Sequence, residues 1–169
     1  MGVQATAPKE PRQLRPTADE TSVAFDALDR QILELLQTDG RIKLSELGRR
    51  VRLSPAAVTE RVRRLEAAGV IGGYGAHVVP ARLGYGIQAF IRVSPHGGYT
   101  LRHPRTLELL ERPEIIEVHH VVGEDCWILK VAVRDTVHLE EVLEEVSALG
   151  RTTTSIVLTT PVQRKPLLP

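Results

Sequence analysis

The run from Ser54 to Gly69, S-P-A-A-V-T-E-R-V-R-R-L-E-A-A-G, constrains this chain more than any other stretch, because it carries a start signal, a stop signal and a single apolar stripe. The Ser54 hydroxyl can accept from an orphan N–H of a first helical turn. Pro55 falls where a missing N–H costs nothing. Gly69 stands where the backbone turns left-handed on leaving a helix. Val58, Val62 and Leu65 are spaced by four and three and therefore share one face. Ala56, Glu60 and Arg63 lie opposite that stripe, with Thr59 and Arg64 on its flanks. Small, hydroxyl and guanidinium groups on one face suit entry into a DNA groove. An ordinary amphipathic surface helix would show the same stripe, so the residues before it decide between the two.

Those residues predict two further helices. Asp26 opens the first, spaced from Asp29 as in a capping box. Leu28, Ile32, Leu35 and Leu36 line one side, and Asp39-Gly40 ends it as a turn. A short helix follows with Leu44, Leu47 and Val51 on one face, and Arg52-Leu53 links it to Ser54. The second and third helices have the spacing of a helix-turn-helix. Residues 1–24, broken by Pro8, Pro11 and Pro16 and lacking apolar periodicity, read as a disordered tail.

Val70 to Val79 is rich in β-formers and glycine and reads as a strand or hairpin wing, which completes a DNA-binding domain over 25–79. Residues 80–86 read as a hinge. Beyond it, Ile87–Val93 is strand-like, Leu101–Glu111 helical with Pro104 limiting its start, and Ile115–Val122 and Cys126–Val133 form a hairpin about Gly123-Glu124-Asp125. Thr136–Leu149 is helical, with Val137, Leu139, Val142, Leu143 and Val146 as its inner positions, and Thr152–Leu158 is a last strand. This β-α-β-β-α-β order is the ferredoxin-like unit, over 87–162, with residues 163–169 loose. The fold class is α+β. One face of such a sheet is left open and needs a partner.

A net charge of +1 excludes a uniformly basic protein, so any nucleic-acid contact must come from a local patch. Arg41, Arg49, Arg50, Arg52, Arg61, Arg63 and Arg64 form one: seven arginines within 24 positions. The single cysteine, Cys126, excludes a disulfide framework and a cysteine-based zinc site, and fits a reducing cytoplasm. His119 and His120 are adjacent on a strand and point to opposite faces, so they are not a metal site by themselves. No Ser-His-Asp set, Walker loop or Rossmann glycine pattern is present, and no apolar run has the length of a membrane span. The expectation is a protein that is not an enzyme and has no cofactor or metal.

Leu28–Ile42 (L-D-R-Q-I-L-E-L-L-Q-T-D-G-R-I) and Ser45–Tyr74, with the run L-S-P-A-A-V-T-E-R-V-R-R-L-E-A-A-G-V-I-G-G-Y, resemble the Lrp/AsnC family of "feast/famine" transcriptional regulators. Val121–Val133 (V-V-G-E-D-C-W-I-L-K-V-A-V) matches more loosely. The resemblance implies a winged helix-turn-helix followed by a RAM-type regulatory domain. It implies sequence-specific binding of double-stranded DNA, dimers formed through the sheets that assemble to octamers or other higher states, and an amino-acid effector bound between neighbouring dimers. Ser54, Pro55, Ala56, Thr59, Glu60 and Arg63 would face DNA, with Arg41, Arg52 and Arg64 near phosphates. The effector region would map onto Gly123, Glu124, Asp125 and Cys126, with Thr136 and Ser155 nearby. The place of action would be the cytoplasm, on the nucleoid.

Three positions depart from the family pattern. Lys43 stands where many members cap the second helix with Ser or Thr. Arg52 occupies a turn position that is often glycine, where a left-handed backbone would cost about 1 kcal/mol. Cys126 replaces an acidic residue, which either passes the amine-binding role to Glu124 or Asp125 or removes it. Two other functions remain open at this stage: an architectural octamer that compacts DNA with little sequence preference, and a small-molecule sensor or enzyme-associated module that has lost DNA binding.

Overall fold

A computed structural model describes residues 24–97, 100 and 102–169. The expected tail over 1–24 lies outside the described residues except for Ala24. The chain divides into two compact units: one ends at Gly75 and takes in Pro166–Pro169, and the other spans Ala76–Lys165.

The first unit holds three helices, α1 (Ala27–Thr38), α2 (Leu44–Val51) and α3 (Pro55–Ala67). Asp26 caps α1 and Asp29 reaches back to the Asp26 N–H, so the expected capping box forms with two aspartates. The start of α2 has no side-chain cap, as Lys43 implies. Arg52 ends α2 at φ 58°, ψ 41°, the left-handed conformation that its turn position demands. Ser54 Oγ accepts from the Ala57 N–H at 3.2 Å, Pro55 opens α3, and Gly69 leaves it at φ 68°. Ile32, Leu33, Leu47, Val51, Val58, Val62 and Leu65 form the core between the helices. Leu44, expected inside with Leu47 and Val51, is 39% exposed, at the uncapped first residue of α2.

The expected strand over Val70–Val79 does not form. Val70 and Ile71 pack on the helical core, and the following residues run without ladder partners. A strand needs a neighbour to take its N–H and C=O groups, and Gly72, Gly73 and Gly75 add conformational freedom without contacts. Tyr74 is anchored by a side-chain bond, its hydroxyl donating to Glu66 Oε1 at 2.9 Å. Burial and that carboxylate push the phenol up to about 12.

The first regular element of the second unit is a 3-10 turn at Pro80–Leu83, within the stretch read as a hinge. It continues as β1 (Ile87–Pro95), α4 (Pro104–Leu110), β2 (Ile115–His120), β3 (Trp127–Val133), α5 (Thr136–Ser147) and β4 (Gly150–Ile156). The sheet is antiparallel in the order β2-β3-β1-β4. Ala89, Ile91, Val93, Leu129, Val131 and Val133 point to the helix side and meet Leu109, Leu139, Val142 and Val146. Phe90, Arg92, Ile128, Lys130, Thr153 and Ser155 share the other face by register. Gly150 is required at the start of β4, since a Cβ there would meet the Ser94 carbonyl oxygen at 2.2 Å.

On α5 the expected inner position Val137 is 64% exposed, and the neighbouring His138 is buried instead. The Arg134 N–H donates to His138 Nδ1 at 3.3 Å, which puts the ring hydrogen on Nε2, 2.9 Å from Glu114 Oε1. A polar network therefore takes the place that periodicity gave to a valine. Residues 163–169, expected to be loose, are exposed, but Leu167 is held: its N–H donates to Gln37 Oε1 at 2.9 Å and its carbonyl accepts from Gln37 Nε2 at 3.0 Å.

Candidate nucleic-acid interface and effector loop

The outward face of α3 is a direct product of its inner stripe. Val58, Val62 and Leu65 are buried, so Ser54, Pro55, Ala56, Thr59, Glu60 and Arg63 stand exposed on the remaining circumference. The Thr59 hydroxyl donates to the Pro55 carbonyl at 2.7 Å. Arg41 and Arg52, also exposed, lie in the turns that flank α2.

The arginine patch splits by partner. Arg61 Nη1 lies 2.7 Å from Asp26 Oδ2 and 2.8 Å from Asp29 Oδ1, and Arg64 Nη2 lies 2.5 Å from Asp29 Oδ2. Arg49 and Arg50 both bind Glu46 at 2.8 Å. Those two guanidiniums hold the Glu46 carboxyl down at about 2, and its backbone bond from Asp29 together with Arg61 lowers Asp26. Arg41, Arg52 and Arg63 have no carboxylate partner among the described residues. Arg64, expected near phosphates, is thus turned toward α1, because Asp29 is fully buried and needs the countercharge.

Asp29 is the residue that sequence reading missed. It was legible only as half of a capping box, although an acid whose partners are spaced by three, at Arg61 and Arg64, is the pattern of an inter-helix clamp. Its carboxylate satisfies the Asp26 N–H and two guanidiniums of α3 at once. It therefore fixes the rotation of α3 against α1.

In the second unit, the Gly123 loop is pinned to the end of β1. Gly123 takes φ 150°, which favours glycine. Ser94 Oγ donates to Asp125 Oδ1 at 2.9 Å and lies 3.2 Å from the Glu124 carbonyl, while Arg92 Nε stands 3.7 Å from Asp125 Oδ2. The Cys126 N–H donates to the Val93 carbonyl at 3.0 Å. The Asp125 carboxylate is thus engaged from within the chain, whereas Glu124 is exposed. The other two expected effector residues are not brought to this loop. Thr136 follows β3 at the far end of the sheet, about 20 Å of strand from Cys126. Ser155 pairs with Phe90 near the end of β4, with β1 between it and β3, on the uncovered face. Glu117 on β2 binds Lys130 at 2.8 Å and His119 at 3.3 Å. Among the described residues no group of three metal-ligating side chains occurs.

Comparison with known proteins agrees with both halves. Residues 25–66 match the AsnC-type helix-turn-helix domain, and residues 88–167 match the Lrp/AsnC ligand binding domain. The chain is 38% identical over 140 residues to the HTH-type transcriptional regulator LrpA of Mycobacterium tuberculosis, across 81% of this chain and 92% of that protein. It also resembles a feast or famine regulatory protein from M. tuberculosis solved in complex with L-methionine, at 36% identity and a TM-score of 0.76, over 86% of this chain and 100% of that one. A Neisseria meningitidis transcriptional regulator in complex with L-methionine aligns with a TM-score of 0.77 at 29% identity, over 86% of this chain and 97% of that one.

Proposed function

The chain belongs to the Lrp/AsnC family of transcriptional regulators, and on that premise we propose that the outward face of α3 reads double-stranded DNA and that an amino acid tunes this binding or the assembly of the protein. One observation carries the reading: a helix capped by Ser54 and clamped by a buried acid exposes Ala56, Thr59, Glu60 and Arg63 together, with Arg41 and Arg52 uncompensated beside it. Rigid support and free guanidiniums are what groove entry requires. One such module buries too little surface for tight binding, so the protein acts as a homodimer, assembling further to an octamer or another higher state.

Two relatives carry L-methionine, which points to an amino acid as the effector class. At the Gly123 loop, Glu124 is the carboxylate left to meet an ammonium, since Asp125 serves Ser94 and Arg92. Thr136 and Ser155 contribute only where a second copy brings them to the loop. Residues 80–86 act as the hinge between a DNA-binding domain over 25–79 and an effector domain over 87–162. Among the described residues no helix is long and apolar enough to cross a membrane, and the place of action is the cytoplasm.

The test is a duplex selected from a random pool by the full chain and titrated by fluorescence anisotropy. Arg63→Ala weakens binding about tenfold or more, with melting temperature and oligomeric state unchanged. Unchanged affinity on every sequence would remove α3 from the interface. Equal affinity for all duplexes, with a steep salt dependence, would replace the reading with an architectural one. Thermal shift against the twenty amino acids reports the effector, because a ligand of the folded state raises the melting temperature by mass action.

A further inference from the structure

The partners of each α3 side chain narrow what the helix can read, provided that α3 is the groove-facing element as proposed above. Arg61 and Arg64 are committed to Asp26 and Asp29, which leaves Arg63 as the α3 guanidinium with no carboxylate partner among the described residues. Thr59 has already given its hydroxyl hydrogen to the Pro55 carbonyl at 2.7 Å. It has no donor left for the N7, O6 or O4 acceptors of bases, so its methyl group and an oxygen already acting as a donor are what it presents outward. Glu60, exposed between them, repels phosphates and turns this part of the face toward base edges instead of the backbone.

We propose that Thr59 and Arg63 form a two-part base reader, in which the Thr59 methyl packs on the 5-methyl of a thymine and Arg63 donates to O6 and N7 of a guanine. The pairing follows from what each side chain has left to offer: an apolar group meets the one apolar group of the major-groove edge, and a free guanidinium matches the one base with two acceptors side by side. Thr59 and Arg63 are four residues apart, so their Cβ atoms lie about 6 Å from each other. That separation corresponds to about two base steps of 3.4 Å. The recognised sequence therefore contains a thymine and a guanine within about two steps of each other in each half-site.

The test uses the selected duplex and replaces its thymines one at a time by deoxyuridine, which removes only the methyl group. At one thymine per half-site, the native protein loses about four-fold in affinity, the worth of one buried methyl. Thr59→Ser keeps the hydroxyl bond to Pro55 but lacks the methyl, and it becomes indifferent to that replacement. Thr59→Val keeps a methyl and loses the hydroxyl, and it retains the discrimination. Replacing the neighbouring guanine by 7-deazaguanine weakens the native protein about tenfold and leaves Arg63→Ala unaffected. Deoxyuridine without effect at every thymine, or discrimination retained by Thr59→Ser, overturns the assignment while leaving α3 as the DNA-binding helix. Failure of the selection to enrich any sequence overturns the groove-reading function itself, and the assignment with it.

Discussion

Among the described residues each unit of this protein buries one carboxylate against arginine, and the two do different work. Asp29 is fully buried and holds Arg61 and Arg64, both on the helix that faces outward. Glu114 is 8% exposed and holds Arg112 at 3.1 Å and His138 at 2.9 Å, while Arg112 also pairs with Glu145. Among the described residues the helical unit has no strand ladder between its elements, so side-chain packing and pairing set much of the angle and rotation of α3. In the sheet unit, β1 is paired along both edges, and the ladder fixes strand positions before any side chain acts. The Glu114 network ties the segment before β2 to α5, through His138 in its first turn and through Arg112 and Glu145 in its last. The same chemistry is a positioning device in one unit and a local tie in the other.

Asp29→Ala is the sharpest way to break that contrast. It removes a carboxylate that accepts from two guanidiniums and a backbone N–H. Arg61 and Arg64 are 26% and 51% exposed and recover part of the loss by hydration. The expected destabilisation is about 2–3 kcal/mol in urea unfolding, the worth of hydrogen bonds to a charged group. DNA affinity falls further than the unfolded fraction accounts for, because α3 loses its register. A variant that is destabilised yet binds DNA with native affinity would show that Asp29 supports the fold without orienting the helix.

The second prediction concerns acid. Burial pushes Glu114 up, but Arg112, a backbone N–H and His138 outweigh it and hold the carboxyl at about 2 against an ordinary value of 4.5. A carboxyl depressed on folding stabilises above its unfolded value, and that stability is lost as pH falls from 4.5 toward 2. Glu46 is also held at about 2, but on the surface, where solvent screens its pairs. Glu114→Gln is therefore less stable than the native chain at pH 7, and the gap between their melting temperatures narrows between pH 4.5 and 3. Glu46→Gln shows a smaller gap at every pH. If the Glu46 variant shows the larger acid dependence, burial is not what gives the Glu114 contact its value.

How much of this was legible in advance follows the same division. Signals within one element survived: the Ser54 cap, Pro55, the Val58–Val62–Leu65 stripe, Gly69 and the uncapped Lys43 all act locally and appear as read. The β-α-β-β-α-β order survived because alternation and turn chemistry are local too. What failed depended on a partner distant in sequence. Val70–Val79 has strand composition but no neighbouring strand among the described residues. Val137 lost its inner place to His138 because Glu114, 24 residues earlier, supplies a carboxylate that periodicity cannot see. Arg64, half exposed, is engaged by Asp29, 35 residues away. Thr136 and Ser155 were grouped with the Gly123 loop by resemblance alone, and strand register separates them within one chain.

The smallest predicted effect has opposite signs in two assays. Arg52 is held at φ 58°, the positive-φ conformation among the described non-glycine residues, at the turn between α2 and α3. Glycine adopts it without the Cβ clash, so Arg52→Gly removes about 1 kcal/mol of strain, less the extra entropy that glycine loses on folding. The guanidinium has no carboxylate partner to lose. Urea unfolding should therefore show a small gain in stability. DNA affinity should fall at the same time, by the worth of one phosphate contact, and the salt dependence should become shallower by about one counterion per site. That pairing of signs separates strain kept for contact from strain imposed by packing. If the glycine variant gains stability and binds DNA as the native chain does, the arginine is not at this turn for phosphate contact, and Arg41 is the phosphate-facing arginine that is left without a carboxylate partner among the described residues.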